Sequence, residues 1–151
     1  MTVDIRVCTT IARPPAELWT VLEPIEQHVE WMADAERITF VSEQTRGIGT
    51  TFECLTRIGP LHTTDVMRVN EWEPGSSMGI VHEGAVTGAG RFTLTAVEPG
   101  STLFCWTETL RFPWWMGARV GELVGRPVLR LVWSRNLRRL RALVEATPRR
   151  L

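Results

Sequence analysis

From residue 36 to residue 112 polar and apolar residues alternate with a period of two, and only short turns interrupt the pattern. The runs are ERITFVS (36–42), TFECLTRI (51–58), LHTTDVMRVNEW (61–72), SMGIVHEG (77–84), GAGRFTLTAV (88–97) and STLFCWTETLRF (101–112). Alternation over such lengths marks strands buried on one face, and turns this short join antiparallel neighbours. Six consecutive strands of this kind make a meander with one apolar face, and that face needs a cover.

The flanks supply candidates for the cover. VDIRVCTTI (3–11) alternates as a further strand, with Val3, Ile5 and Val7 in phase. Pro14-Pro15 then opens a helix whose apolar face is Leu18, Trp19 and Leu22. Pro24 starts a second short helix, IEQHVEWM, with Ile25, Val29 and Met32 at helical spacing. From Met116 to about Ala146 the period is helical again. Beyond Pro127, Leu129, Trp133, Leu137, Leu140 and Val144 share one side, and Arg130, Arg135, Arg138 and Arg141 fall away from it. Before Pro127 the apolar positions Val120, Leu123 and Val124 lie on a different side, so a proline kink is expected there. The predicted order is strand, two short helices, six strands and a long helix, an α+β chain whose last helix covers the sheet.

A length of 151 residues predicts one domain over 1–151, large enough for a real core. The first residues lack a basic-then-apolar leader pattern, and no apolar stretch is long enough to span a membrane. Cys8, Cys54 and Cys105 are odd in number and widely spaced, which argues against a disulfide framework and against a thiolate metal site. A reducing cytoplasm is the expected setting. Net charge is zero, yet residues 116–151 hold 9 arginines against Glu122 and Glu145. The bland reading is a solvated helix face docked on an acidic body, so no nucleic-acid partner and no stable membrane insertion are expected. His28, His62 and His82 sit on separate elements without metal-ligand spacing. GAVTGAG (84–90) lies between strands rather than before a helix, and GxSxG is absent. No cofactor or metal is predicted.

PPAELWTVLEPIEQHVEWMADAERITFVS resembles the opening signature of the SRPBCC (START-like) superfamily, especially its polyketide cyclase/dehydrase-type members, with Trp19 and Trp31 in the two tryptophan places. The Gly47/Gly49 turn, VNEWEPGSSM (69–78) and the C-terminal helix extend the likeness over nearly the whole chain. The resemblance implies a helix-grip fold: a seven-stranded antiparallel sheet wrapped around the long C-terminal helix, with an internal cavity for apolar molecules. Some members of that family cyclise or dehydrate polyketides and others only bind, so fold alone does not decide function.

Strand register can be read from the turns. A three-residue loop at Ala85-Val86-Thr87 sets Gly84 opposite Gly88 and His82 opposite Gly90, and a loop at Glu98-Pro99-Gly100 sets Gly90 opposite Glu108. Ile80, Phe92 and Trp106 then form one row, and Met78, Leu94 and Phe104 another, all on one face. His82 and Glu108 are expected to look at each other across a glycine-floored gap, with strands about 4.8 Å apart. Phe52, Cys54, Met67, Met78, Ile80, Phe92, Phe104 and Trp106 are the predicted cavity walls, with His82, Gly90 and Glu108 as the polar end. Asp65 or Glu71 adds a carboxylate if their shared face is concave. Cys54 is expected inward as a packing residue.

Binding or transport of a small hydrophobic molecule, lipid or polyketide-like, is the leading expectation. The alternative is a cyclase or dehydratase with His82 and Glu108 as its acid–base candidates, and a salt-sensitive interaction module using the arginine face is a third class. RFPWWMG (111–117) is read as the turn into the long helix, its two tryptophans packing at the hinge in preference to forming a lid or a membrane wedge. The ligand and the oligomeric state are not encoded in any motif.

Overall fold

The structure, a computed structural model, describes residues 2–116 and 125–148. Strand β1 (Thr2–Ile11) leads into helix α1 (Pro15–Leu22) and a 3-10 turn at Ile25–Glu30. Six strands follow: β2 (Ala35–Phe40), β3 (Thr51–Ile58), β4 (Leu61–Glu73), β5 (Ser77–Glu83), β6 (Thr87–Glu98) and β7 (Ser101–Arg111). A short 3-10 turn at Trp114–Met116 and helix α2 (Arg126–Ala146) complete the described chain. The predicted α+β order holds, and IEQHVE adopts the tighter 3-10 form.

One antiparallel sheet holds all seven strands in the order β1-β7-β6-β5-β4-β3-β2. Consecutive strands pair as hairpins, while β1 closes the far edge against β7. The segment from α1 to the 3-10 turn therefore links one edge of the sheet to the other. Alternation places Val3, Ile5, Val7 and Ile11 of β1 inward, together with Phe104, Trp106 and Leu110 of β7.

Helix α2 lays Leu129, Trp133, Leu137, Leu140 and Val144 on that face, all buried, as their spacing predicts. The Trp133 ring stacks on Trp106 at 4.8 Å between centroids and 24° between planes. Asn136, fully buried on the same helix face, accepts from the Ala33 N–H (3.0 Å) and donates to Asp34 Oδ1 (2.6 Å). At the other end, Arg13 donates to the carbonyls of Glu145 (2.8 Å) and Thr147 (3.1 Å), satisfying acceptors the finished helix leaves free. Gly125 is the N-cap of α2, with Pro127 in the first turn. The proline opens this helix instead of kinking a longer one, because a residue without an N–H costs nothing there. The expected face of Val120, Leu123 and Val124 lies outside the described residues.

Two further expectations change. Cys8 and Cys105, directly opposed across β1 and β7, form a disulfide, whereas spacing in sequence had argued against one. Residues 97 apart in the chain become neighbours once the first strand pairs with the last, and cysteine arithmetic cannot see such a pairing. Trp114 and Trp115 are 90% and 62% exposed, so neither is hinge packing. Phe112, two residues earlier, turns inward instead and borders the cavity described next.

Candidate functional site

Between the concave face, α2 and the 3-10 turn lies a cavity of about 150 Å³. Strand register decides which side chains reach it. Between β6 and β7 the pairing is the one the turns predict: Gly90 faces Glu108, Phe92 faces Trp106 and Leu94 faces Phe104. Between β5 and β6 it is two residues away from prediction. His82 faces Gly88, Ile80 faces Gly90 and Met78 faces Phe92. The loop there is Gly84-Ala85-Val86, joining Glu83 to Thr87, so Gly84 is in the turn and does not face Gly88. A two-residue slip returns every side chain to the same face, so apolar patterning cannot detect it.

Of the residues expected to line the cavity, Phe52, Cys54, Met67, Met78 and Ile80 do so, as do His82, Gly90, Phe92, Trp106 and Glu108. Phe104 does not. It is fully buried against Phe92 and Trp31, one row deeper in the core. Sequence reasoning missed Ile25, Met32, Ile38, Leu129 and Trp133, which close the cavity from the 3-10 turn, β2 and α2. Their helical or strand phase marked them as core, but nothing local marked that core as hollow.

The polar end is built from neighbouring rows. His82 Nε2 lies 2.8 Å from Glu108 Oε2, and both residues are more than nine-tenths buried. The Trp106 indole N–H donates to Glu108 Oε1 at 3.1 Å, so both carboxylate oxygens are engaged. The gap predicted between imidazole and carboxylate is thus closed by direct contact over a glycine floor. A Cβ on Gly90 would lie 2.5 Å from Glu108 Oε1 and 2.7 Å from its Cδ. Glycine is needed there because the carboxylate occupies the space a side chain would take. Burial alone would lower the His82 pKa, but the hydrogen bond and charge of Glu108, with the more distant charge of Asp65, raise it. The pair is a short imidazole–carboxyl hydrogen bond inside a mostly apolar wall.

Asp65 occupies the next row, where Cys54 is its β3 partner. Thr63 Oγ1 donates to its Oδ2 at 2.9 Å, while Oδ1 has no hydrogen-bond partner among the described residues. That oxygen lies over Gly84, 2.5 Å from where a Cβ would stand. Glu71, the other carboxylate considered, is not in the cavity. A β-bulge between Val69 and Glu71 reverses the phase of β4 and turns Glu71 to the convex side. There it binds Ser77 Oγ (2.8 Å) and Arg91 (2.7 and 2.9 Å).

Three other ionisable groups face the cavity. Burial raises the Asp34 pKa, against the Asn136 hydrogen bond that lowers it. Burial also pushes the Cys54 thiol up to about 11, so it stays protonated and is no nucleophile at neutral pH. His28 is driven down to about 4 by burial, and its neutral Nε2–H donates to the Leu22 carbonyl at 2.7 Å. No group of His, Cys, Asp and Glu suited to a metal ion occurs among the described residues. No helix among them is long and apolar enough to cross a membrane.

A family model described as polyketide cyclase/dehydrase and lipid transport matches residues 2–145. No curated protein matches the sequence significantly. Among solved structures, a protein of Thermus thermophilus superposes with a TM-score of 0.79 at 17% identity, over 95% of this chain and 97% of that one. The Zhui aromatase/cyclase of Streptomyces sp. R1128 gives a TM-score of 0.73 at 16% identity, over 96% and 94%. A START superfamily protein of Mycobacterium smegmatis gives 0.70 at 14%, over 94% and 97%. Identities this low carry the fold and nothing finer.

Proposed function

The chain belongs to the polyketide cyclase/dehydrase and lipid transport family, and from that premise we propose that it binds a small hydrophobic molecule, lipid or polyketide-like, in the cavity beneath α2. One observation carries the reading: the 150 Å³ hollow has mostly apolar walls, and among its few polar groups His82 and Glu108 are held together by a hydrogen bond. Apolar walls supply affinity, and a few fixed polar groups set orientation. Burying two ionisable groups is costly, and that cost favours a role for this pair beyond stability.

Trp106 and Trp133 both border the cavity, so ligand entry changes their emission. Titration with lipids, polyketides and aromatic compounds should give saturable quenching, and Ile80→Phe, which fills the hollow, should abolish it. Absence of quenching across the panel, or quenching unchanged in the filled variant, removes the proposal.

A cyclase or dehydratase is the second reading, favoured by the 2.8 Å contact itself. His82, whose pKa Glu108 raises, would exchange a proton with a ligand oxygen, with Glu108 holding the ring in place. Glu108→Gln would then abolish turnover while binding survives; equal loss of both returns the case to simple binding.

A further inference from the structure

Resting on the binding reading above, the chemistry of the cavity wall also restricts the occupant. Among the described residues its carboxyl groups are Asp34, Asp65 and Glu108. Of the donors on the described wall, His82 Nε2 and the Trp106 indole N–H face Glu108, the Thr63 hydroxyl faces Asp65 Oδ2, and His28 Nε2 faces the Leu22 carbonyl. Arg91 borders the hollow, but its guanidinium is turned outward to Glu71. Among the acceptors, one is left over. Asp65 is 5% exposed, lines the cavity, and carries an Oδ1 with no hydrogen-bond partner among the described residues. Buried polar atoms are rarely left unpaired unless a ligand or water completes them. The indole N–H of Trp31 is also unpartnered, but Trp31 does not line the hollow.

Volume adds a second restriction, since an apolar cavity of roughly 150 Å³ accommodates about one benzene ring. We propose that the enclosed part of the ligand is a single ring, or a group of that size, bearing a hydroxyl or ammonium donor that binds Asp65 Oδ1. Anionic ligands are disfavoured, because a carboxylate entering here meets three carboxyl groups and no unengaged cation on the described wall.

A near-isosteric series on the full chain tests this: toluene, benzyl alcohol, benzylamine and benzoate, followed by tryptophan quenching and by amide chemical shifts. Benzyl alcohol and benzylamine should bind at least about tenfold tighter than toluene, the effect of one buried hydrogen bond, and benzoate should bind weakest. Asp65→Leu should erase the advantage of the alcohol while toluene still binds. Asp65→Asn keeps an acceptor and removes the charge, so it should retain the preference for the alcohol and lose most of that for the amine. Toluene matching the alcohol in the native chain, benzoate binding tightest, or an alcohol preference surviving in Asp65→Leu would each overturn the donor inference and leave cavity binding standing. Binding of none of the four would remove the single-ring inference, while quenching by larger ligands would decide the binding reading separately.

Discussion

Gly84 and Gly90 are where the sequence said most and was understood least. GAVTGAG resembles a phosphate loop only on paper, since it forms a hairpin. Its glycines make room for carboxylates: Asp65 lies over Gly84 and Glu108 over Gly90. The Gly90–Glu108 pairing was legible from turn lengths, but the hydrogen bond to His82 was not, because it depends on side-chain reach across two strands. Gly90→Ala should push the Glu108 carboxylate off the imidazole at a cost of about 1–3 kcal/mol. Without that partner burial dominates, so the His82 pKa should fall below 6.5 in an NMR titration, where the native ring titrates above it. The two buried histidines also bend the pH profile of stability in opposite senses. The folded His28 pKa of about 4 lies under its ordinary 6.5, so below pH 6.5 the unfolded chain binds a proton that the folded chain refuses. Stability should drop by about 2 kcal/mol between pH 6.5 and 5, and His28→Phe should flatten that slope in urea melts. His82 has a raised pKa, so its contribution is whole below pH 6.5 and is lost as pH climbs through the folded value.

At the scale of elements, alternation located every strand to within about two residues, and helical spacing located the apolar residues on the buried side of α2. Two features were illegible for the same reason: neither leaves a trace in polarity. The slip of two residues between β5 and β6 preserves the face, and the bulge before Glu71 inserts one residue where the pattern still alternates. The bulge matters, since it removes one carboxylate from the cavity and leaves Asp65 as the inward one on β4. Asn136 was likewise invisible as anything but a polar residue inside an apolar stripe. It fastens α2 to Ala33 and Asp34, so it fixes the distance between helix and 3-10 turn that defines the cavity roof. Asn136→Leu removes both of these part-buried hydrogen bonds, and a loss of about 1–3 kcal/mol is expected by urea denaturation. A variant within about 0.5 kcal/mol of the native chain would show that the clamp contributes nothing.

For the whole molecule, the unanticipated bridge sets a test of the expected setting. With Cys8 and Cys105 joined, Cys54 is the free thiol among the three cysteines. Thiol titration of the unfolded, unreduced protein should find one reactive group per chain; three would mean that the bridge is open under the conditions of isolation. Reduction should lower stability by about 2–4 kcal/mol. A reducing cytoplasm would hold the pair as thiols, so this count bears directly on where the protein works. The sheet order carries a consequence of its own. Every ladder but one joins strands adjacent along the chain, and the exception unites β1 with β7. During synthesis the meander can zip hairpin by hairpin, but β1, made before all of it, must wait for the strand made last. Until then the seam beside β7 stays unpaired, a sticky margin open to another nascent copy, which makes closure by the N-terminal strand the vulnerable moment in the protein's assembly.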